Sequence, residues 1–224
     1  MSTETESPEP IGFAEALRRE WIAAGLMPET PPQPTVPLTE AEEVARTKAE
    51  IRSQRLAAFK SNCPVEFRKP IDRALIPNLA AWDQADKWNG SHPGIWIWSL
   101  ETGRAKSRML WRQFGRLHVE CGRSVLKITG QALAEEYFAY HMSGHPRAFY
   151  GWVMGYDVVM LDDLDKMDLD DKRAPRMCRE LFDELYSHRR PALVTANEPI
   201  AHFQKRIGES TSRRMNEVCT EIKF

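Results

Sequence analysis

Tyr156-Asp-Val-Val-Met-Leu-Asp-Asp163 is the stretch on which the reading of this chain turns. Four apolar residues, Val158 to Leu161, run unbroken into two aspartates. A short apolar run of this kind is the pattern of a strand buried on both faces, as in a parallel sheet. Open α/β sheets bind ligands at the C-terminal ends of such strands. The paired carboxylates therefore stand where a ligand would lie, with Asp162 suited to hold Mg2+, directly or through water, and Asp163 to polarise an attacking water. The plain alternative is a solvated turn, since Asp165, Asp168, Asp170 and Asp171 follow closely. A calcium loop opening at Asp163 is excluded, because its sixth position is Asp168 rather than Gly and its twelfth is Ala174 rather than Glu.

Outward from this stretch, 95–98 (IWIW), 124–129 (SVLKIT) and 192–195 (ALVT) read as further strands. Helices are expected from about Lys106 to Glu120, over 130–143 and over 172–188. Strands alternating with helices of 10–15 residues form βαβ units and a parallel sheet. The fold class is therefore α/β, and the chain carries no internal repeat.

The loop after the first strand is Leu100-Glu-Thr-Gly-Arg-Ala-Lys-Ser107. Against the phosphate-loop consensus GxxxxGK[ST], Lys106 and Ser107 match, and Gly103 matches a common internal glycine. Leu100 and Ala105 stand at the two consensus glycines. Backbone N–H groups at a helix N-terminus cradle phosphates, the lysine brings a point charge to the β- and γ-phosphates, and the serine hydroxyl binds Mg2+. The candidate nucleotide-binding residues are thus Thr102, Gly103, Arg104, Ala105, Lys106 and Ser107, with Ser107 and Asp162 as metal ligands. A Cβ at 100 and at 105 stands where glycine normally lets the backbone approach. Read alone, this loop is equally an ordinary strand-to-helix connection.

Leu193-Val-Thr-Ala-Asn197 ends a strand in an amide able to hold a nucleophilic water near a γ-phosphate; as a cap, Asn197 would be equally ordinary. In Ser212-Arg-Arg-Met215, an arginine pair on a solvated face is the common case, and an arginine finger reaching a neighbouring subunit's nucleotide the specific one.

The chain has 224 residues, 42% of them hydrophobic, enough for one domain with an extension. Net charge is −1 overall, but residues 1–40 hold seven Glu and two Arg. The bulk molecule is therefore not an electrostatic nucleic-acid binder. Four widely spaced cysteines, with no CxxC pair and no apolar leader, suggest reduced thiols and a cytoplasmic protein. No apolar run is long enough to span a membrane. Phe13, Leu17 and Trp21 stripe a helix over 12–25, a Pro-rich linker follows through Pro37, and Thr39 with Glu42 forms a capping box for a helix over roughly 40–60. Residues 1–38 are read as an N-terminal helix and linker, and 39–224 as the main domain. Residues 137–150 (YFAYHMSGHPRAFY) mix aromatics with cations, which suits single-stranded DNA, although such aromatics are more often core.

Taken in order, these elements resemble the DnaC/IstB-like AAA+ ATPases, particularly short phage or prophage members of helicase-loader type. The resemblance spans roughly residues 56–224. It is carried by Cys63-Pro-Val-Glu-Phe-Arg68, by TGRAKSR at 102–108, by VVMLDDLDK at 158–166, by LVTAN at 193–197 and by the closing RRMNEVCTEIKF. It implies a P-loop NTPase core with a five-stranded parallel sheet flanked by helices, ATP and Mg2+ as ligands, and assembly into a homo-oligomer when nucleotide is bound. It further implies a replicative helicase as partner, docked through helix 12–25, and single-stranded DNA. By position, Lys106 and Ser107 resemble Walker A, Asp162 and Asp163 Walker B, and Asn197 sensor 1. Arg214 resembles the trans-acting arginine finger, with Arg213 beside it. The catalytic set is then Asp163, Asn197 and Arg214, in a core without a full C-terminal lid. A catalytically weak adaptor and an IstB-like transposition helper stand as alternatives to a helicase loader.

Overall fold

The computed structural model describes residues 39–103, 105–208 and 212–224, with the backbone alone at Ser212 and Arg213. The expected helix over 12–25, its linker, Arg104 and the Arg213 side chain lie outside the described residues. The chain divides into two compact units, 1–47 and 48–224. Of the first, only 39–47 is described; there Thr39 opens the helix Glu40–Asn62. Its capping box is formed as the sequence suggests, with the Thr39 N–H and hydroxyl both donating to Glu42 Oε2 at 2.8 Å.

The second unit is built on one sheet of five parallel strands: β1 (Gly94–Trp98), β2 (Val125–Thr129), β3 (Val158–Asp162), β4 (Ala192–Ala196) and β5 (Cys219–Lys223). Their order is β2-β3-β4-β1-β5. Side chains alternate faces along each strand, and both faces are covered, which explains the unbroken apolar runs. On one face Ile95, Ile97, Val158, Met160 and Leu193 pack with Trp82, Met109 and Leu110 from the helices Leu79–Asp86 and Lys106–Gly115. On the other, Trp96, Val159, Leu161 and Val194 pack with Leu133, Phe149, Leu181 and Phe203. Those four come from the helices Gly130–Met142, Pro146–Met154, Arg173–Ser187 and Ile200–Ile207.

Strand β3 begins at Val158 rather than at Tyr156, because Asp157 is held outside the ladder by Ser124. Tyr137, Phe149 and Tyr150 of the aromatic stretch are buried among core side chains. Cys63, Cys178 and Cys219 are buried, and Cys121 is exposed. Burial pushes the Cys178 thiol up to about 12. Among the described residues, no helix is long and apolar enough to cross a membrane.

Candidate functional site

Strands β3, β4 and β1 are neighbours and run parallel, so their C-terminal ends lie side by side. Each end delivers one part of the predicted site: the loop after Trp98, the Asp162-Asp163 pair, and Asn197. Thr102, Gly103, Ala105, Lys106, Ser107, Asp163 and Asn197 line a single cavity of about 350 Å3. Asp162 reaches it through Ser107, whose hydroxyl donates to Asp162 Oδ1 at 3.1 Å.

The loop holds two left-handed residues, Gly103 at φ 76° and Ala105 at φ 64°. Glycine adopts this conformation freely, whereas for an L-residue it costs about 1–2 kcal/mol. The missing glycine at 105 is therefore replaced in sequence but not in backbone geometry. Leu100 is 71% exposed and does not line the cavity, so its side chain takes no space from a ligand.

Lys106 opens the helix Lys106–Gly115 and is only 7% exposed. Its ammonium donates to Asn197 Oδ1 at 3.0 Å, to the Ser99 carbonyl at 3.3 Å and to the Glu101 carbonyl at 3.4 Å. Burial lowers its pKa, while the nearby carboxylates of Asp163 and Asp165 act to keep it charged. Asn197 in turn donates to Asp165 Oδ2 at 2.9 Å. The turn that carries Asp165 is tied down by Arg206, which donates to the Asp165 carbonyl at 3.3 Å and pairs with Glu198 at 2.5 Å.

Asp163 is itself left-handed, at φ 50°. Its side chain pairs with Lys166 Nζ at 2.6 Å, and this contact is the main reason the Lys166 pKa is raised. The turn is wedged against Gly130: a Cβ there would lie 2.8 Å from Leu164 Cα and 3.0 Å from the Asp163 carbonyl oxygen. Ser107 and Asp162 offer hard oxygen donors, the kind that hold Mg2+ when phosphates and water complete its shell. Among the described residues no group of three or more acidic, His or Cys side chains forms a metal cage of its own. The donor set thus fits an ion that shares its ligands with a phosphate chain.

Arg214 lies apart from this cavity within the chain. Its guanidinium sits 4.0 Å from the Tyr186 ring centroid, donates to Glu217 at 3.1 Å and approaches Asp183 at 3.7 Å. Four contributors were not singled out in the sequence: Thr195, Lys166, and Phe67 with Arg108, which line the same cavity. A signal for Thr195 existed, since a hydroxyl inside the apolar run Ala192–Ala196 must find a partner.

Comparison with protein-family models and with curated proteins gives no match. Solved structures do match. A DnaC helicase loader aligns with 17% identity and TM-score 0.55, over 70% of this chain and 93% of that one. A putative primosome component from Streptococcus pyogenes serotype M3 aligns with 15% identity and TM-score 0.51, over 73% of this chain and 90% of that one. The replication initiator DnaA, solved with AMPPCP and single-stranded DNA, aligns with 16% identity and TM-score 0.51 over 64% of this chain. This chain spans 44% of that DnaA chain, less than half its length. The molecule is thus an α/β protein built on a five-stranded parallel sheet. More narrowly, its fold is similar to that of the DnaC helicase loader.

Proposed function

We propose that this chain is an ATP-binding AAA+ protein that loads or remodels a replicative DNA helicase. The observation that carries the nucleotide reading is the convergence of Lys106, Ser107, Asp163 and Asn197 on one cavity of about 350 Å3, with Asp162 bonded to Ser107 behind it. Bound ATP with Mg2+ would supply the phosphoanhydride to be cleaved. Lys106 then gives up its bonds to Ser99 and Glu101 in exchange for phosphate oxygens. The N–H groups of Thr102, Gly103, Ala105, Lys106 and Ser107 would cradle the phosphates, and Ser107 and Asp162 would hold the ion. Asp163 takes a proton from the attacking water, and Asn197 orients that water. Arg214 acts on a neighbouring subunit's nucleotide, so turnover requires a homo-oligomer. The helicase as partner is supported by likeness of fold to a DnaC helicase loader, and single-stranded DNA by likeness to DnaA; both are inferences from fold.

The test is titration with a fluorescent ATP analogue together with phosphate-release assays on the wild type and Lys106→Ala. Saturable binding, with turnover abolished in the variant, is expected. Turnover unchanged by Lys106→Ala would sink the assignment of the site. Co-purification of this chain with a hexameric replicative helicase tests the partner.

One observation favours a second reading, a non-hydrolysing adaptor. Two charges at the cavity are already satisfied internally, Lys106 by Asn197 and two carbonyls, and Asp163 by Lys166. No binding at millimolar nucleotide is the outcome that selects the adaptor.

A further inference from the structure

Thr195 lies two residues before Asn197, and its hydroxyl is the joint between the two aspartates. Its side chain is fully buried, at 0% exposure, in the otherwise apolar strand β4. The hydroxyl donates to Asp162 Oδ1 at 2.7 Å and accepts from the Asp163 N–H at 2.8 Å. Alternation along the strands explains the meeting. Thr195 shares the face of Leu193, and Asp162 shares the face of Met160, the face covered by the helix that begins at Lys106.

Two consequences follow from this geometry. Asp163 sits at φ 50°, an unfavourable conformation for an L-residue, and its N–H has Thr195 as its anchor. Asp162 receives both of its hydrogen bonds, from Ser107 and from Thr195, on Oδ1. Among the described residues Oδ2 accepts none, so that oxygen is the one left to take on a ligand.

We infer that Thr195 is a positioning residue. By occupying Asp162 Oδ1 and holding the Asp163 backbone, it directs the Asp162 carboxylate toward a divalent cation carried in with a phosphate chain. This rests on the proposed nucleotide site and adds a residue and a role to it. Polar partners of metal-binding carboxylates typically govern metal affinity by about 10–100-fold.

The experiment is Mg2+ titration of triphosphate binding, using a fluorescent ATP analogue in EDTA and then at rising Mg2+, on the full chain and two variants. Thr195→Val keeps the branched shape and removes the hydroxyl; Thr195→Ser keeps the hydroxyl. The expected result is a Mg2+ midpoint raised about tenfold or more in Thr195→Val, with binding in EDTA unchanged and Thr195→Ser close to wild type. General loosening of the fold would weaken binding in EDTA as well, so that reading separates positioning from mere packing. A Thr195→Val protein with the wild-type midpoint overturns the inference, as does a Thr195→Ser protein that loses its Mg2+ coupling. Should the valine variant fail to fold, Thr195→Ala is read in the same way. Wild-type binding that ignores Mg2+ overturns this role alone, whereas no wild-type binding at all overturns the nucleotide site and this role together.

Discussion

Ser107 Oγ and Asp162 Oδ1 lie 3.1 Å apart although 55 residues separate them in the chain. That bond joins the helix after β1 to the end of β3 across the intervening strand β4. It holds a hydroxyl and a carboxylate where one cation would need both.

Replacing Ser107 with Ala removes the hydroxyl and leaves the carboxylate. Mg2+-dependent nucleotide binding should weaken about tenfold or more, while binding in EDTA stays near wild type. The lost bond is part-buried and worth about 0.5–1.5 kcal/mol, so calorimetry should show a melting temperature lowered by only a few degrees.

Ala105→Gly tests the worn loop. Its left-handed backbone, at φ 64°, carries a Cβ penalty of about 1–2 kcal/mol that glycine removes. Glycine also adds about 0.4–1 kcal/mol of unfolded-state freedom, so the net change in denaturant melts should lie between neutral and about 1.6 kcal/mol stabilising. Nucleotide affinity should rise, because the backbone can approach the phosphates more closely. A clear loss of stability would show that the left-handed turn is not the source of strain.

Gly130→Ala should act in the opposite direction. The new Cβ would meet backbone atoms, Leu164 Cα at 2.8 Å and the Leu164 oxygen at 2.9 Å, which cannot swing aside as a side chain can. A destabilisation of about 1–3 kcal/mol is expected from urea melts. The Asp163 turn would shift with it, so ATP turnover should fall more than nucleotide binding does.

Asp157 gives a pH signature remote from the site. Its carboxylate accepts from the Ser124 N–H at 2.9 Å and from the Ser124 hydroxyl at 2.8 Å, and these bonds lower its pKa. A lowered carboxyl stabilises the fold above its unfolded value, about 3.9, and loses that contribution as pH falls through the folded value. The carboxylate is more than half exposed, so water and salt screen it and the gain is small. Asp157→Ala should therefore be slightly less stable than wild type at pH 7 and indistinguishable from it in strong acid, as followed by thermal melts across pH.

Several elements were legible because their signals are local. The capping box at Thr39 and Glu42 needs only neighbours in sequence, and it forms. Strands β1 to β4 announce themselves as apolar runs because both sheet faces are covered. Strand β5 was not read as a strand from its residues. Cys219 and Ile222 are buried, but Thr220, Glu221 and Lys223 are exposed, as befits an edge strand, and the run looks like a polar tail. The short helices Leu79–Asp86 and Ile200–Ile207 were likewise unread, since eight residues hold too few turns for periodicity to speak.

The candidate site divides along the same line. The residue types and their order, a Lys-Ser pair after one strand, an aspartate pair ending another and an asparagine after a third, were determined by the sequence itself, because strand–loop–helix order puts them on one sheet edge. Only the tertiary structure decided how they meet. It decided that Lys106 turns onto Asn197, that Lys166 holds Asp163, and that Thr195 bridges both aspartates. These contacts depend on which strands are neighbours and in what register. That order, β3-β4-β1, follows from packing two layers of helices over the sheet, which no local stretch of sequence records.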